Sequence, residues 1–404
     1  MDKPDICFLQ YDLRGGGAER KVCTLANYFV SRGKTVDIGL FGKNTVAYAV
    51  DPRVNVTYIR RDSFEYRNEV EKRFHSLRTG VEKALCWTAG LAGGKVKKRL
   101  EGHLRKRDDY TLPIRRYIRN RAGGSVFISM MAQSYLEVRR VMRPVRGKAG
   151  KLDYLVMDCN NPKYDTTPAF HAKRLAEYPK AARVLVMTQR ARDCFPPEIR
   201  ENCSVIPNPV RDDLPEPYTG IRRKTVVTFC RLNAQKNLPM LIGAFAAFRK
   251  RFTDYTLEIY GEGEERESLE RLIAEKGLSD AARILPFDPA VHRKIRDCAM
   301  FVCSSNWEGF CNSVLEALAL GMPVISTNHE FGASEMIRDH VNGILVRVRD
   351  EKGLTDAMAE VAADPALAAG LGERAREARE FYSVEVIGKR WLDLIDHLIR
   401  SRHG

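Results

Sequence analysis

The sequence predicts an α/β fold of two Rossmann-like domains, each built on a doubly wound parallel sheet, that face each other across a cleft. Three observations favour this fold. The chain of 404 residues is longer than one ordinary domain core. Short apolar segments alternate with segments of helical periodicity along most of the chain, as in βαβ units. The alternation pauses at a proline-rich segment and then starts again.

The first domain is predicted to span residues 1–208. It begins with the apolar strand DICFLQYD, Asp5 to Asp12, which leads through a glycine-rich loop into a helix that ends at Gly33. The segments TVDIGLFG, VNVTYI, SVFISM, LDYLVMDC, RVLVMT and CSVIPN indicate further buried strands. Because each strand is reached through a helical segment, we expect a parallel sheet with both faces covered.

A helical insertion, residues about 65–121, interrupts this alternation. Its second part, Lys95 to Arg121, holds eleven Lys or Arg against three Asp or Glu, with apolar residues between them. Two interpretations carry equal weight: a solvated helix pair on the surface, or an amphipathic face that lies on an anionic membrane. A nucleic-acid partner is not expected, because no nucleic-acid-binding signature accompanies the charge.

A linker and a second domain follow. The segment IPNPVRDDLPEPYTGIRRK holds four prolines and no apolar period, so residues 209–224 are predicted to be the linker. The second domain, 225–385, has its predicted strands in the segments TVVTFCRL, TLEIYG, ARILPF, MFVCSS, PVIST and GILV. Residues 386–404 are predicted to form a C-terminal helix that packs back on the first domain.

The composition is that of a globular protein with a basic surplus. Lys and Arg number 67 and Asp and Glu 52, a formal net charge of +15, which favours anionic partners such as phosphorylated substrates. The N-terminus lacks a basic segment before an apolar one, and no apolar run of about 18 residues occurs, so we expect neither a secretory signal nor a membrane span. The ten cysteines show no CxxC pair and no Cys/His ligand spacing, which predicts reduced core cysteines of a cytoplasmic protein and no metal site.

Candidate binding residues lie where strands end, because doubly wound sheets bind ligands at the carboxyl ends of their strands. Gly15, Gly16 and Gly17 follow the first strand and open a helix, which suits the close approach of a phosphate. The alternative is a tight turn. Arg231 and Lys236 follow the first strand of the second domain, where a forked donor and a point charge suit a diphosphate. The alternative is two solvated surface charges.

The stretch NWEGFCNSVLEALALGMPVIST places Glu308 and Glu316 eight residues apart among small and apolar residues. A carboxylate in such surroundings is costly unless it accepts hydrogen bonds, and sugar hydroxyls are suitable donors. We expect Asn312 or Ser313 to cap the helix that carries Glu316. The free N–H groups of residues 311–314 are then expected to face a phosphate. The alternative is a surface helix with two unrelated glutamates.

These motifs together resemble the retaining glycosyltransferases of family 4, which have the GT-B fold. EGFCNSVLE resembles the E-x7-E motif of that family, GGGAER its first glycine loop, CRLNAQKNLPMLIGAF its GRL-x-x-QKN segment, and LEIYGEGEER its strand–glycine–helix segment. The resemblance covers nearly the whole chain and is densest from Val226 to Val346. It points to bacterial glycosyltransferases that assemble polysaccharides and lipid-linked glycans.

The resemblance implies a role for each matching residue. Glu308 contacts hydroxyls of the donor sugar, Glu316 binds the ribose, and Arg231 and Lys236 bind the diphosphate. Arg231, Lys236 and Glu308 form the expected catalytic set, and Glu335 matches a further family glutamate. The remaining donor contacts, including the phosphate loop and the region beside the base, fall on Gly15, Gly16, Gly17, Phe310, Cys311, Asn312, Ser313, Val314, Pro286 and Phe287.

The resemblance also implies the chemistry. A nucleotide-diphosphate sugar, with UDP favoured, gives up a hexose or N-acetylhexosamine with retention, and the leaving phosphate assists attack on the same face. No cofactor or metal is expected, since cations of the chain replace Mg²⁺. The expected acceptor is a glycan on a lipid diphosphate, in cell-surface polysaccharide assembly, with the enzyme cytoplasmic or peripheral on the inner face of the membrane. The stretches ISMMAQSY and DCNNP depart from the family pattern, which leaves the acceptor open.

Two other classes remain open. An NAD-type dinucleotide oxidoreductase would also have two Rossmann domains, but the chain lacks GxGxxG and the acidic residue about 20 positions further on. A non-catalytic anion-binding protein that has kept the GT-B fold is the other alternative, and the intact motif residues argue against it.

Overall fold

The structure is a computed structural model that describes residues 3–14, 16–42, 45–59, 84–85, 112–142, 153–159 and 167–401. The packing of the chain divides it into two compact units. The first unit comprises residues 1–157, 172–184 and 395–404, and the second comprises 158–171 and 185–394. The predicted limits (1–208, 209–224, 225–385 and 386–404) differ from this division and stay predictions.

Every strand predicted from an apolar segment is found, with limits that differ by a few residues. The strands are β1 Ile6–Gln10, β2 Val36–Leu40, β3 Asn55–Tyr58, β4 Val126–Ser129, β5 Tyr154–Asp158, β6 Arg183–Val186, β7 Cys203–Val205, β8 Arg223–Phe229, β9 Thr256–Tyr260, β10 Ala282–Leu285, β11 Cys298–Cys303, β12 Val324–Thr327 and β13 Ile344–Val346.

Helices connect these strands, as the alternating pattern predicts. The described helices are α1 Gly17–Ser31, α2 Leu112–Arg121, α3 Ala132–Met142, α4 Pro168–Glu177, α5 Gln189–Asp193, α6 Pro197–Arg200, α7 Leu238–Arg249, α8 Arg266–Glu275, α9 Val291–Ile295, α10 Asn312–Ala319, α11 Ala333–Met336, α12 Glu351–Ala363, α13 Pro365–Ala375, α14 Glu377–Phe381 and α15 Val384–Arg400, with 3-10 turns at Tyr178–Lys180 and Ala234–Lys236. Within the described ranges, no helix combines the length and apolar character needed to cross a bilayer.

The strands form two sheets, ordered β3-β2-β1-β4-β5-β6-β7 and β10-β9-β8-β11-β12-β13. Each strand pair of known register is parallel. In both sheets the strand order reverses beside the first strand, at β1/β4 and at β8/β11. Ligands of doubly wound sheets bind at such a reversal, beyond the carboxyl ends of the strands. The order therefore points to the loops that follow β8 and β11.

The second sheet is buried by helices that carry apolar residues on the facing side. Leu241 and Phe245 of α7 and Leu354 and Met358 of α12 belong to one buried cluster with strand residues of β8 to β13. The C-terminal helix α15 buries a stripe with a spacing of four, Ile387, Trp391 and Ile395, all fully buried. The packing of α7 and α12 fixes the strands of the second sheet, from which the candidate site loops extend.

Most of the predicted basic insertion lies outside the described residues. Its last part is the helix α2, in which Ile114, Tyr117 and Ile118 are buried. Arg121 at the end of α2 forms an ion pair with the buried Asp37 of β2, at 2.6 Å. These three apolar residues are buried in the protein interior, whereas residues 95–111 of the basic segment lie outside the described residues, so the choice between the two interpretations stays open.

Candidate functional site

The loops after β8 and β11 are joined to each other by hydrogen bonds. The backbone N–H of Asn306 donates to the carbonyl of Gln235 at 2.8 Å. The hydroxyl of Ser304 donates to the carbonyl of Lys236 at 2.8 Å, and the Gln235 side chain donates to the carbonyl of Trp307 at 2.8 Å. The two loops therefore form one surface at the point where the strand order reverses, and this surface carries both predicted motifs.

The structure brings the predicted residues Lys236 and Glu308 into direct contact. Lys236 Nζ lies 2.5 Å from Glu308 Oε1, and both side chains are mostly buried, with 15% and 8% of their surface exposed. The Glu308 carboxylate also accepts hydrogen bonds from the Ser305 hydroxyl at 2.7 Å and from Gln235 Nε2 at 3.2 Å. The ammonium, hydroxyl and amide donors together offset the cost of burying this carboxylate. Glu308 is therefore a preformed acceptor site at the reversal of strand order.

The Lys236 ammonium stays charged in this position. Burial, the largest single influence, favours the neutral amine, but Glu308 and the neighbouring cysteines together outweigh it and raise the pKa of Lys236 above its usual value. Its three N–H donors allow it to keep the contact with Glu308 while it binds a second acceptor. The pair can therefore hold an anion and a hydroxyl-bearing group side by side.

The second predicted glutamate is bound by a histidine. Glu316 Oε2 lies 2.8 Å from His292 Nε2, and both side chains are buried. The other ring nitrogen, Nδ1, lies 3.5 Å from the Arg211 guanidinium, which can only donate. Nδ1 is thus the acceptor and Nε2–H donates to Glu316, which orients the carboxylate.

The observed N-cap of α10 lies one residue before the first of the two predicted caps. Its N-cap is Cys311, in the left-handed region with φ 56°, and no side chain caps the helix. The prediction that Asn312 or Ser313 is the cap is therefore wrong, because Asn312 is already helical. Without a side-chain cap, the first N–H groups of α10, at Asn312, Ser313 and Val314, suit an anion.

Arg231 differs from Lys236 in its surroundings. It is exposed, and within the described part of the chain its guanidinium is not engaged in an ion pair. The Arg231 guanidinium lies three residues before the start of the 3-10 turn Ala234–Lys236. It is available to bind a phosphate through two parallel N–H donors.

The loop after β9 approaches the loop after β8 very closely. A Cβ atom at Gly261 would collide with the carbonyl oxygen of Cys230, and one at Gly263 would collide with that of Leu232. The glycines of YGEGEER are therefore required by backbone packing. Beside them, Phe287 follows β10 after Pro286 with 69% of its surface exposed, as a residue beside a flat base would be.

The glycine loop lies at the end of β1, in the first unit. Gly17 is the first residue of α1, as predicted, and Gly16 exchanges hydrogen bonds with the Tyr48 hydroxyl, at 2.9 and 3.1 Å. Gly15 lies outside the described residues. The role of these glycines in closing over phosphates stays a prediction.

Glu335 has a structural partner. Its carboxylate accepts the backbone N–H groups of Gln189 and Arg190, at 2.9 and 3.1 Å, at the start of α5. This contact gives the carboxylate at position 335 a structural role, so its presence does not require a bound ligand.

Three residues of the site were not predicted from the sequence: His292, Ser305 and Gln235. Gln235 stands next to Lys236 in the QKN segment, and Ser305 stands three residues before Glu308, so proximity was an available signal for both. His292 lies 24 residues before Glu316 on a different helix. Only the fold shows that contact.

Comparisons with known proteins agree with this geometry. Residues 219–378 match the family model described as Glycosyl transferases group 1. An exopolysaccharide phosphotransferase of Streptomyces coelicolor is 28% identical over 232 residues, which cover 56% of this chain and 24% of that protein. The N-acetylgalactosamine-N,N'-diacetylbacillosaminyl-diphospho-undecaprenol 4-alpha-N-acetylgalactosaminyltransferase of Campylobacter jejuni is 31% identical over 168 residues, which cover 41% of this chain and 45% of that protein. The chain thus spans less than half the length of these two curated relatives.

The fold is shared over the full length with a solved structure. The crystal structure of the Anabaena protein HepE in complex with UDP superposes with a TM-score of 0.73 at 16% identity and covers 97% of this chain and 100% of that one. The predicted GT-B fold is confirmed. The segment 219–378, which matches the group 1 glycosyl transferase model, contains Arg231, Lys236, Glu308 and Glu316. Membership of family 4 and retention of configuration stay predictions.

Proposed function

We propose that the chain is a retaining glycosyltransferase that moves a hexose or N-acetylhexosamine from UDP to a glycan acceptor. The observation that carries this proposal is the buried Lys236–Glu308 pair at the reversal of strand order. The pair offers a cation to a diphosphate and a carboxylate to sugar hydroxyls within one contact distance. The comparisons support the same class, since the matched segment includes both residues.

Departure of the diphosphate is the step that the chain assists electrostatically. Negative charge grows on the leaving phosphate as the glycosidic bond breaks. Lys236, Arg231 and the uncapped N-terminus of α10 supply fixed positive charge and N–H donors for it. In this proposal no metal is needed at the diphosphate, because these groups take the place of Mg²⁺.

Glu308 positions the sugar, and Glu316 positions the nucleoside. Sugar hydroxyls donate to Glu308 in addition to the donors that already hold it. The ribose hydroxyls donate to Glu316, whose carboxylate is oriented by His292. Attack by the acceptor occurs on the face from which the diphosphate leaves, with the phosphate as base, so configuration is retained.

The acceptor is proposed to be a glycan linked to a lipid diphosphate. This rests on the net charge of +15 and on the Campylobacter relative, whose name describes transfer to a diphospho-undecaprenol glycan. We also propose that the protein binds an anionic membrane surface, because the segment Lys95 to Arg121 carries a large excess of positive charge. Co-sedimentation with vesicles of phosphatidylglycerol at low salt tests it, and the absence of binding rejects it.

The donor is tested by ligand-induced thermal stabilisation. The purified protein is heated with UDP, GDP, ADP, CMP or NAD, with and without EDTA, and the nucleotide-induced shift is compared at each condition. A ligand that binds only the folded state raises the unfolding temperature by mass action. We expect a shift with UDP that EDTA does not reduce, that Glu316→Ala abolishes, and that Glu373→Ala, an exposed control on α13, retains.

Other outcomes would reject the proposal. Stabilisation by NAD alone would favour the dinucleotide oxidoreductase. Stabilisation by UDP without turnover of any UDP-sugar, in the presence of a lipid-linked acceptor pool, would favour the non-catalytic anion-binding protein. The anomeric proton coupling of the product in NMR separates retention from inversion.

A further inference from the structure

Three buried side chains that sequence spacing does not connect meet beside α10. Cys303 ends β11, Cys311 is the N-cap of α10, and His329 follows β12 by two residues. Each contributes one atom, Sγ, Sγ or a ring nitrogen, and these atoms lie within 4.8 Å of one another. The exposed fractions are 5%, 5% and 1%. The three ligand atoms thus form a cluster that is almost entirely closed to solvent.

The histidine is oriented with a free lone pair in this cluster. His329 Nδ1 lies 2.7 Å from the carbonyl oxygen of Phe331, and a carbonyl can only accept, so Nδ1 carries a proton. The other nitrogen, Nε2, is buried and makes no hydrogen bond of good geometry to a described residue, although it interacts with the neighbouring Cys303 sulfur. A buried nitrogen left without a partner is costly. A metal-binding histidine has the same arrangement, with one N–H on a carbonyl and the other nitrogen on the ion.

The dimensions suit a tetrahedral ion. The two sulfur atoms are 3.7 Å apart, and two thiolates on a tetrahedral Zn²⁺ with bonds of about 2.3 Å are about 3.8 Å apart. When three atoms lie within 4.8 Å of one another, some point lies within about 2.8 Å of all three. A side-chain shift of about half an ångström therefore brings all three to Zn²⁺ bonding distance.

We propose that Cys303, Cys311 and His329 form a binding site for a soft divalent metal ion, of which Zn²⁺ fits best. Two thiolates and one neutral imidazole are ligands that Zn²⁺ prefers, and a water molecule completes the four. This proposal differs from the expectation of no metal site, which rested on sequence spacing. The inference is independent of the proposed transferase function, because it concerns an ion in the free protein.

The thiolate is the form that binds metal. Two thiolates whose sulfur atoms lie 3.7 Å apart repel each other, and a divalent cation between them removes that repulsion.

The ion would join three segments at the same edge of the second sheet. Residues 304–310, which contain Glu308, run from one thiolate ligand to the other. His329 would add the segment after β12. Metal binding is thus expected to restrain the loop that carries Glu308 and to raise the unfolding temperature of the protein.

The test measures metal binding directly. The full chain without an affinity tag is refolded with one equivalent of Co²⁺ under a phosphine reductant and examined by absorption spectroscopy and metal analysis. We expect thiolate-to-cobalt charge-transfer bands, tetrahedral d–d bands, and one ion per chain that Zn²⁺ displaces. Cys303→Ser and Cys311→Ser should each lose the bands, and His329→Ala should shift them. Cys298→Ser is the control, since Cys298 is also fully buried on β11.

The result that would overturn the site is equally direct. Absence of cobalt bands in the reduced wild-type protein rejects it. Bands of equal strength in Cys303→Ser, or their loss in Cys298→Ser, place the metal elsewhere and also reject it. Circular dichroism and the unfolding temperature of each metal-free variant show whether the protein is folded, and His329→Ala decides the matter if a cysteine variant is not.

Discussion

Replacement of Lys236 by methionine tests the buried pair at the reversal of strand order. The change keeps the length and volume of the side chain and removes the charge. Glu308 then remains buried, with 8% of its side chain exposed, and loses its contact at 2.5 Å. Removal of one partner of a buried ion pair costs about 3–5 kcal/mol, because the other charge is left uncompensated. Glu308 keeps the hydrogen-bond donors Ser305 and Gln235. We therefore expect Lys236→Met to lower the free energy of unfolding by about 3 kcal/mol, the lower end of this range.

The double-mutant cycle separates the pair from its surroundings. Glu308→Gln leaves Lys236 without its ion-pair partner, but that side chain is 15% exposed and can regain contact with water. We therefore expect the free energy of unfolding to fall by about 1–2 kcal/mol. The double variant Lys236→Met/Glu308→Gln buries no charge and should cost no more than the first single variant. The coupling free energy, the summed losses of the single variants minus the loss of the double variant, is then at least about 1–2 kcal/mol.

The assay must report on the second unit alone, since a chain of two units need not unfold in one step. Amide hydrogen exchange of peptides from β8 and β11 gives the free energy of opening of that sheet. A Lys236→Met protein whose β11 amides exchange as slowly as wild type would refute the reasoning. So would a double variant with additive losses, because it would mean that the two charges do not depend on each other.

The remaining predictions concern the site and the second sheet. His292→Ala should weaken UDP binding about tenfold in calorimetric titration, because the orientation of Glu316 is lost. It should also lower the unfolding temperature, because a buried side chain is removed and the buried Glu316 loses a partner. Equal affinity would exclude a role for the histidine. Arg231→Ala should lower kcat on the order of 100-fold, whereas Arg271→Ala, an exposed control on α8, should not; near-normal turnover would remove Arg231 from the diphosphate. Glu258 is buried, which disfavours its charge, yet hydrogen bonds from two arginines lower its pKa below the usual 4.5. Its contribution to stability is therefore present above that value and lost as pH falls through the lower, folded-state pKa. Glu258→Gln should thus lower the unfolding temperature at neutral pH, and this loss should shrink as pH falls below 4.5; a loss that does not change with pH would exclude the charge.

The fold was predictable from the sequence because buried parallel strands are continuous apolar runs. FVCSS and PVIST, for example, can be placed without knowing their neighbours. The site was predictable where its residues stand next to a strand end, as Lys236 and Glu308 do. It was not predictable where the contact joins distant segments.

His292 and His329 illustrate that limit. Each lies in its own loop or helix, and its partners, Glu316 in one case and Cys303 with Cys311 in the other, come from different strand ends. Local propensity also failed at position 311. Asn and Ser are the usual helix caps, but the left-handed turn at Cys311 moved the helix start by one residue.

The close approach at Gly261 and Gly263 has a consequence for how motifs of this kind are interpreted. The carbonyl oxygens of the neighbouring loop leave no room for a Cβ atom at either position. Every protein with this backbone therefore needs glycine at both positions, whatever ligand it binds. In a saturation mutagenesis screen for activity, these two positions would rank among the least tolerant and would look catalytic. The same screen scored by protein abundance would give the same ranking there. Positions such as Arg231, which lies exposed, should diverge between the two scores, and that divergence identifies the residues that serve the ligand.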